Sequence, residues 1–155
     1  MRRLAVLALG LAASASAAEP APLVRIGGIQ ARLWYTLSGK LSDDLLVRKE
    51  PFVGWNTVIG EGGVAEPATD LLVDVTMLGN GVDEQSIDEP LTIWVTGKGG
   101  KTLASRTFPY LLLPYKGALH NPLWLRDVGC AGKLMLHARF RRQVKTAALA
   151  LDCGE

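Results

Sequence analysis

Cysteine and histidine are scarce in this chain of 155 residues, at two each. A four-ligand structural zinc site would need all of them, and their spacing does not offer one, so neither a metal nor another cofactor is expected. Charge of one sign is missing as well. Seventeen Lys and Arg stand against fifteen Asp and Glu, which gives no positive field for nucleic acid or an anionic membrane and no charged tail. After the first residues no apolar run is long enough to span a bilayer as a helix, so no stable membrane anchor is expected. No convincing stretch of 3.6-residue apolar periodicity is found, and no G-x-S-x-G or C-x-x-C motif marks a nucleophile or a redox pair.

What is present begins with a sorting signal. Met1-Arg2-Arg3 is a short cationic start, Leu4 to Ala13 is apolar apart from Gly10, and small residues follow from Ser14 to Ala18. That order predicts a signal peptide over residues 1–18, cut after Ala17 or Ala18, and export to the periplasm or the medium. No cysteine lies near the cut to carry a lipid. Arg2 and Arg3 would leave with the signal, so the remaining chain, 19–155, would carry as many acids as bases and be formally neutral.

That remaining chain reads as one all-β domain. Ile29, Ala31, Leu33, Tyr35 and Leu37 alternate with Gln30, Arg32, Trp34, Thr36 and Ser38; Leu71, Val73, Val75 and Met77 alternate with Leu72, Asp74, Thr76 and Leu78; Leu91, Ile93 and Val95 alternate with Thr92, Trp94 and Thr96. Period-two alternation of this kind predicts strands with one buried face. Phe52–Ile59 and Leu123–Asp127 are shorter candidates. Glycine clusters punctuate the runs, and Lys98-Gly99-Gly100-Lys101 predicts a hairpin. Only Ser42–Glu50 has any helical character, and Pro51 stops it. The expectation is an antiparallel β-sandwich of about seven to nine short strands. It is immunoglobulin-like or C2-like by architectural analogy only, because the Cys…Trp…Cys pattern of antibody domains is missing.

The two cysteines belong to the last hairpin. Leu134, Leu136, Ala138 and Phe140 form one face of a strand; Ala147, Leu149 and Leu151 form one face of the next. In an antiparallel pair with its loop at Arg141-Arg142, facing residue numbers share a constant sum of 283. Leu134 then faces Leu149, Leu136 faces Ala147, and Cys130 falls opposite Cys153. In an exported protein this predicts a structural disulfide.

Candidate chemistry is thin. His120, placed in a loop, and His137, mid-strand, lack an evident nucleophile, so a small hydrolase built on His120 is a third choice. A glycosidase-like carboxylate pair is available in principle from Asp43, Asp44, Glu61, Asp70 and Asp74. The Asp83–Glu89 loop is acidic but lacks EF-hand spacing, so a solvated loop is expected before calcium. Arg139, Arg141, Arg142 and Lys145 gather at the tip of the last hairpin.

The tryptophans are the more informative residues. Trp34, Trp94 and Trp124 each have the parity opposite to the aliphatic residues of their own strand. If they shared one sheet face they would form an aromatic platform for sugar rings or for a protein. Trp55, Asn56 and Glu61 surround a glycine-rich bend that is a further candidate. The leading expectation is thus a non-catalytic module that binds a protein partner through loops and exposed Trp. A carbohydrate-binding module is the alternative.

Overall fold

The computed structural model describes residues 24–48, 53–54, 66–79, 81–128 and 131–153; residues 53–54 and 152–153 are described by their backbone only. Ten strands are found among them: β1 (Arg25–Trp34), β2 (Val53–Gly54), β3 (Asp70–Leu78), β4 (Gln85–Ile87), β5 (Leu91–Thr96), β6 (Thr102–Phe108), β7 (Leu111–Leu113), β8 (Ala118–Leu125), β9 (Gly132–Phe140) and β10 (Gln143–Cys153). They form a three-stranded sheet β1-β3-β8, a five-stranded sheet β2-β10-β9-β5-β6, and a small β4-β7 ribbon. All pairings are antiparallel except the short β2–β10 contact. The two larger sheets share one core, consistent with the β-sandwich expected.

Alternation builds that core. Leu71, Val73, Val75 and Met77 of β3 are fully buried, as are Leu91, Ile93 and Val95 of β5 and Leu136, Ala138 and Phe140 of β9. Each large aliphatic side chain removed from water in this way contributes roughly 1.5–3 kcal/mol. A one-residue slip of any of these strands would turn its apolar set to solvent, so the pattern also fixes register. The final hairpin shows this: Gln143 pairs with Phe140, Ala147 with Leu136 and Leu149 with Leu134, the register read from the sequence. Arg141 has φ 53°, the left-handed geometry required at the first position of a primed hairpin turn. The β5–β6 hairpin forms around Lys98-Gly99-Gly100, with Gly99 and Gly100 at φ 70° and 76°.

Several expectations are corrected. β1 starts at Arg25 and ends at Trp34, so Leu37 is not a strand residue but lies exposed in the turn that follows. The helical character of Ser42–Glu50 reduces to a single 3-10 turn, Leu45–Val47, capped by the Asp44 carboxylate. β8 starts at Ala118, which places His120 within a strand and not in a loop. No cysteine pair at bonding distance occurs among the described residues, so the Cys130–Cys153 bridge is not supported. Cys130 lies outside the described residues, and Cys153 is described by its backbone only. The sorting signal at 1–18 also lies outside them.

The sheet edges are treated unequally. Along the outer edge of β1, side chains replace a neighbouring strand. Gln143 Oε1 accepts from the Ile26 N–H at 2.9 Å while its Nε2 donates to the Val24 carbonyl at 2.9 Å. Lys145 Nζ donates to the Gly27 carbonyl, Asp44 Oδ1 accepts from the Ala31 N–H, and Ser42 Oγ accepts from the Leu33 N–H. β8 carries Pro122, a residue without an N–H, as edge strands favour. β6 pairs with β5 on one side and runs beside β8 on the other, where its Arg106 Nη1 donates to the Pro122 carbonyl at 3.0 Å.

Candidate binding site

The outward parity of β1, β3 and β8 places Arg32, Trp34, Asp70, Leu72, Asp74, Pro122 and Trp124 on the solvent face of the three-stranded sheet. Trp34 and Trp124 lie on the two outer strands, yet their rings meet edge to face with centroids 5.7 Å apart and planes at 65°. Such a contact adds about 0.5–1.5 kcal/mol beyond area burial. Trp124 is 39% exposed, and Trp34 is half-buried against the turn that contains Gly39.

Asp70 fixes Trp124. Its Oδ2 accepts from the indole Nε1–H at 3.1 Å, and its Oδ1 accepts from the Asp127 N–H at 3.3 Å and the Thr69 hydroxyl at 3.2 Å. Burial works to raise the Asp70 carboxyl. The bonds from Trp124, Asp127 and Thr69, with the charge of Arg126, outweigh it and hold the group below its ordinary range. The Val128 N–H also donates to the Thr69 carbonyl at 2.8 Å, so the segment after β8 is tied to the start of β3.

That tie opens a cleft. A cavity of about 440 Å³ lies between β6 and the end of β8, lined by Leu103, Ala104, Trp124, Leu125, Val128 and Ala131, with Arg126 and Asp127 at its rim. Its size falls within the range of small-ligand sites, and its walls mix apolar and polar surface almost evenly. Trp124 therefore belongs both to the exposed sheet face and to the cleft.

Further along the same face His120 Nδ1 lies 2.5 Å from Asp74 Oδ2. The imidazole is 61% exposed, and the second oxygen of Asp74 is buried without a hydrogen-bond partner. A carboxylate that orients a histidine is two-thirds of a triad, but among the described residues no Ser, Thr or Cys hydroxyl or thiol bonds to His120. Asp70 and Asp74 sit four residues apart on one strand, roughly 13 Å at the usual rise. That exceeds the separation at which two carboxyl groups hydrolyse a glycosidic bond.

Trp94 is elsewhere. It lies on the outer face of the five-stranded sheet, stacked on His137 at 4.7 Å with planes 4° apart, while the Arg139 guanidinium sits 5.8 Å from its ring centre. His137 Nε2 lies 3.1 Å from the Thr96 hydroxyl. The sandwich therefore brings two of the three strand tryptophans together and separates the third. Trp55, Asn56 and Glu61 lie outside the described residues.

The two charged clusters meet each other and β1 at specific points. Arg141 forms a two-pronged bond with Glu89 at 2.8 and 2.8 Å, and Lys145 binds β1. No group of three or more metal-ligating side chains occurs among the described residues.

No protein-family model matches this chain, and no curated protein matches it either.

Sequence reasoning did not find Leu103, Ala104, Val128 or Ala131, because nothing in a short apolar pattern shows that it ends beside a gap. Asp70 was visible as an acid of outward parity, but its bond to Trp124 joins residues 54 positions apart.

Proposed function

We propose that this chain is an exported, non-catalytic interaction module that binds a protein partner at the surface centred on Trp124. The observation that carries the reading is coincidence. An exposed tryptophan, held in orientation by Asp70, borders a cleft of about 440 Å³ between β6 and β8. Tryptophans of this kind, rigid and set beside a pocket, dominate the energetics of protein interfaces. The cationic start, apolar run and small residues of 1–18 support export to the periplasm or the medium. A Cys130–Cys153 bridge fits that compartment. The argument for it is the pairing sum of the final hairpin, whose register runs in step to Gly132 and Leu151, two residues short of the cysteines.

Site-specific photo-crosslinking tests the reading. A photoreactive phenylalanine analogue at position 124 should give a discrete cross-linked protein in the exporting cell, and the same analogue at Ala148 on the opposite sheet should not. Equal labelling at both positions, or none at 124, would exclude it.

A second reading rests on a separate observation. Trp34 and Trp124 share their face with Arg32, Asp70, Asp74 and His120, a mixture of rings and polar groups suited to a sugar. Titration with an array of glycans, read by tryptophan fluorescence, should then give saturable quenching that is lost in Trp124→Ala. A flat response to every glycan would exclude it.

A further inference from the structure

We infer that the outer face of the five-stranded sheet binds an acidic polysaccharide, a chain of uronic acid residues, along a strip that runs from Lys133 past His137 and Trp94 to Arg139. This surface lies on the sheet opposite Trp124 and stands apart from both readings above.

Openness and charge select an anion. Val144, Thr146, Ala148, Met135, Ser105 and Thr107 point away from the core and are exposed, so no other element of the described chain covers this face. The chain as a whole is near neutral, but its charge is unevenly spread. The outward positions from Val144 to Ala150, Lys133 to Arg139, Thr92 to Thr96 and Ser105 to Thr107 hold Lys133 and Arg139 and no acid. The first acid further along β10 is Asp152, beyond the level of Lys133. Lys98 and Lys101, in the turn between β5 and β6, add to the Lys133 end. Neither Lys133 nor Arg139 has an ion-pair partner among the described residues, and Glu89, the acid that shares a cavity with Arg139, is held by Arg141. An unopposed set of cations on an open face attracts an anionic ligand.

Rings and hydroxyls select a sugar. Trp94 and His137 are cross-strand partners with stacked rings, and the Arg139 guanidinium stands 5.8 Å from the Trp94 ring centre. That group gives the strip a fixed apolar surface at its middle, of the kind on which a sugar ring lies. Around it stand short hydroxyl side chains. Those of Thr92 and Thr107 are 3.3 Å apart, that of Thr96 is 3.1 Å from His137 Nε2, and Ser105 pairs with Trp94 across the strands. An extended peptide finds no main-chain partner here, because the backbone groups of the interior strands β9 and β5 are spent within the sheet. The planar fork of Arg139 matches a carboxylate with two parallel bonds.

Distance selects a polymer. Lys133 and Arg139 lie at opposite ends of β9, roughly 20 Å apart at the usual rise. One sugar cannot reach both, whereas a short chain can. At the Arg139 end a cavity of about 280 Å³, lined by Glu89, Pro90, Thr92, Arg139 and Arg141, forms a recess for one end of that chain. Because Arg141 is already bound to Glu89, Arg139 is the guanidinium left to take its carboxylate.

The test is calorimetric titration of the full chain with a galacturonate hexamer. Saturable binding is expected, weakening with salt. The galacturonate monomer should bind at least about tenfold more weakly, because it meets one cation at a time. The fully methyl-esterified hexamer, the same sugar without its charge, should lose about tenfold as well. Lys133→Gln/Arg139→Gln changes two exposed side chains outside the core and should cost about tenfold or more. Trp94→Ala should remove the change in tryptophan emission that accompanies binding, and Trp124→Ala should leave both affinity and emission change in place. No binding of the hexamer, equal affinity for its monomer or its ester, or an unaltered affinity in the double variant would each overturn the inference. Equal or tighter binding of a glutamate hexapeptide would overturn the choice of a sugar. Loss of binding in Trp124→Ala would also overturn it, moving the glycan to the three-stranded sheet and to the second reading above.

Discussion

Arg106 of β6 reaches across the open side of the sandwich and donates from Nη1 to the carbonyl of Pro122 on β8, at 3.0 Å. Its guanidinium also lies 4.4 Å from the centre of the Phe108 ring. An inward-parity charge on an edge strand and a proline on the facing edge are two devices that discourage uncontrolled strand pairing. Here they join, pinning the two sheets together below the cleft. Arg106→Ala should therefore loosen that side. Chemical denaturation should show a loss of about 1–3 kcal/mol, the range for a bond donated by a charged group, and light scattering should show faster aggregation on heating than in the parent.

The opposite side of the sandwich depends on Gln143. Its amide spends one oxygen and one nitrogen on β1, at Ile26 and Val24. Gln143→Leu, similar in size but without either polar group, should cost about 1–3 kcal/mol in urea denaturation, because two backbone groups lose their partners. An unchanged midpoint would show that water replaces the amide.

Gly27 sits in the bulge of β1, where pairing shifts between Ile26 and Gly28. A Cβ placed there would lie 2.9 Å from Leu78 Cγ and 2.9 Å from Thr76 Oγ1. Gly27→Ala should lower the melting temperature through overpacking, at about 1–3 kcal/mol. Gly28→Ala, whose nearest neighbour would be 3.6 Å away, should be milder. The contrast between the two variants is the measurement.

Asp70 gives the pH dependence. Its carboxyl is held below the ordinary carboxylate value in the folded chain, so the contribution is fully present above the unfolded value near 4 and is lost as pH falls through the lower folded value. Tryptophan emission should shift as pH falls below that point, when the Asp70–Trp124 bond weakens. Asp70→Ala should abolish the acid shift and weaken binding at the Trp124 surface.

Oxidised protein recovered from an exporting host should contain the Cys130–Cys153 bridge. Intact mass under non-reducing conditions should then rise by about two hydrogen masses on reduction. Two thiols free to alkylation before reduction would rule the bridge out.

Local alternation decided much by itself. Period two in Leu71–Met77, Leu91–Val95 and Leu134–Phe140 specified strands, their buried faces and the register of the final hairpin, because a half-buried strand repeats every second residue. The same parity set Trp34, Trp94 and Trp124 outward. Partner choice between strands distant in sequence was another matter. β1-β3-β8 is assembled from segments far apart in the chain, so only the tertiary structure could bring Trp34 to Trp124 and send Trp94 to the other sheet. The placement of His120 beside Asp74, the capping of β1 by Gln143 and the bridging of β6 to β8 by Arg106 have the same origin. They depend on which backbone groups find partners after the sheets have closed, and no spacing along the chain encodes that.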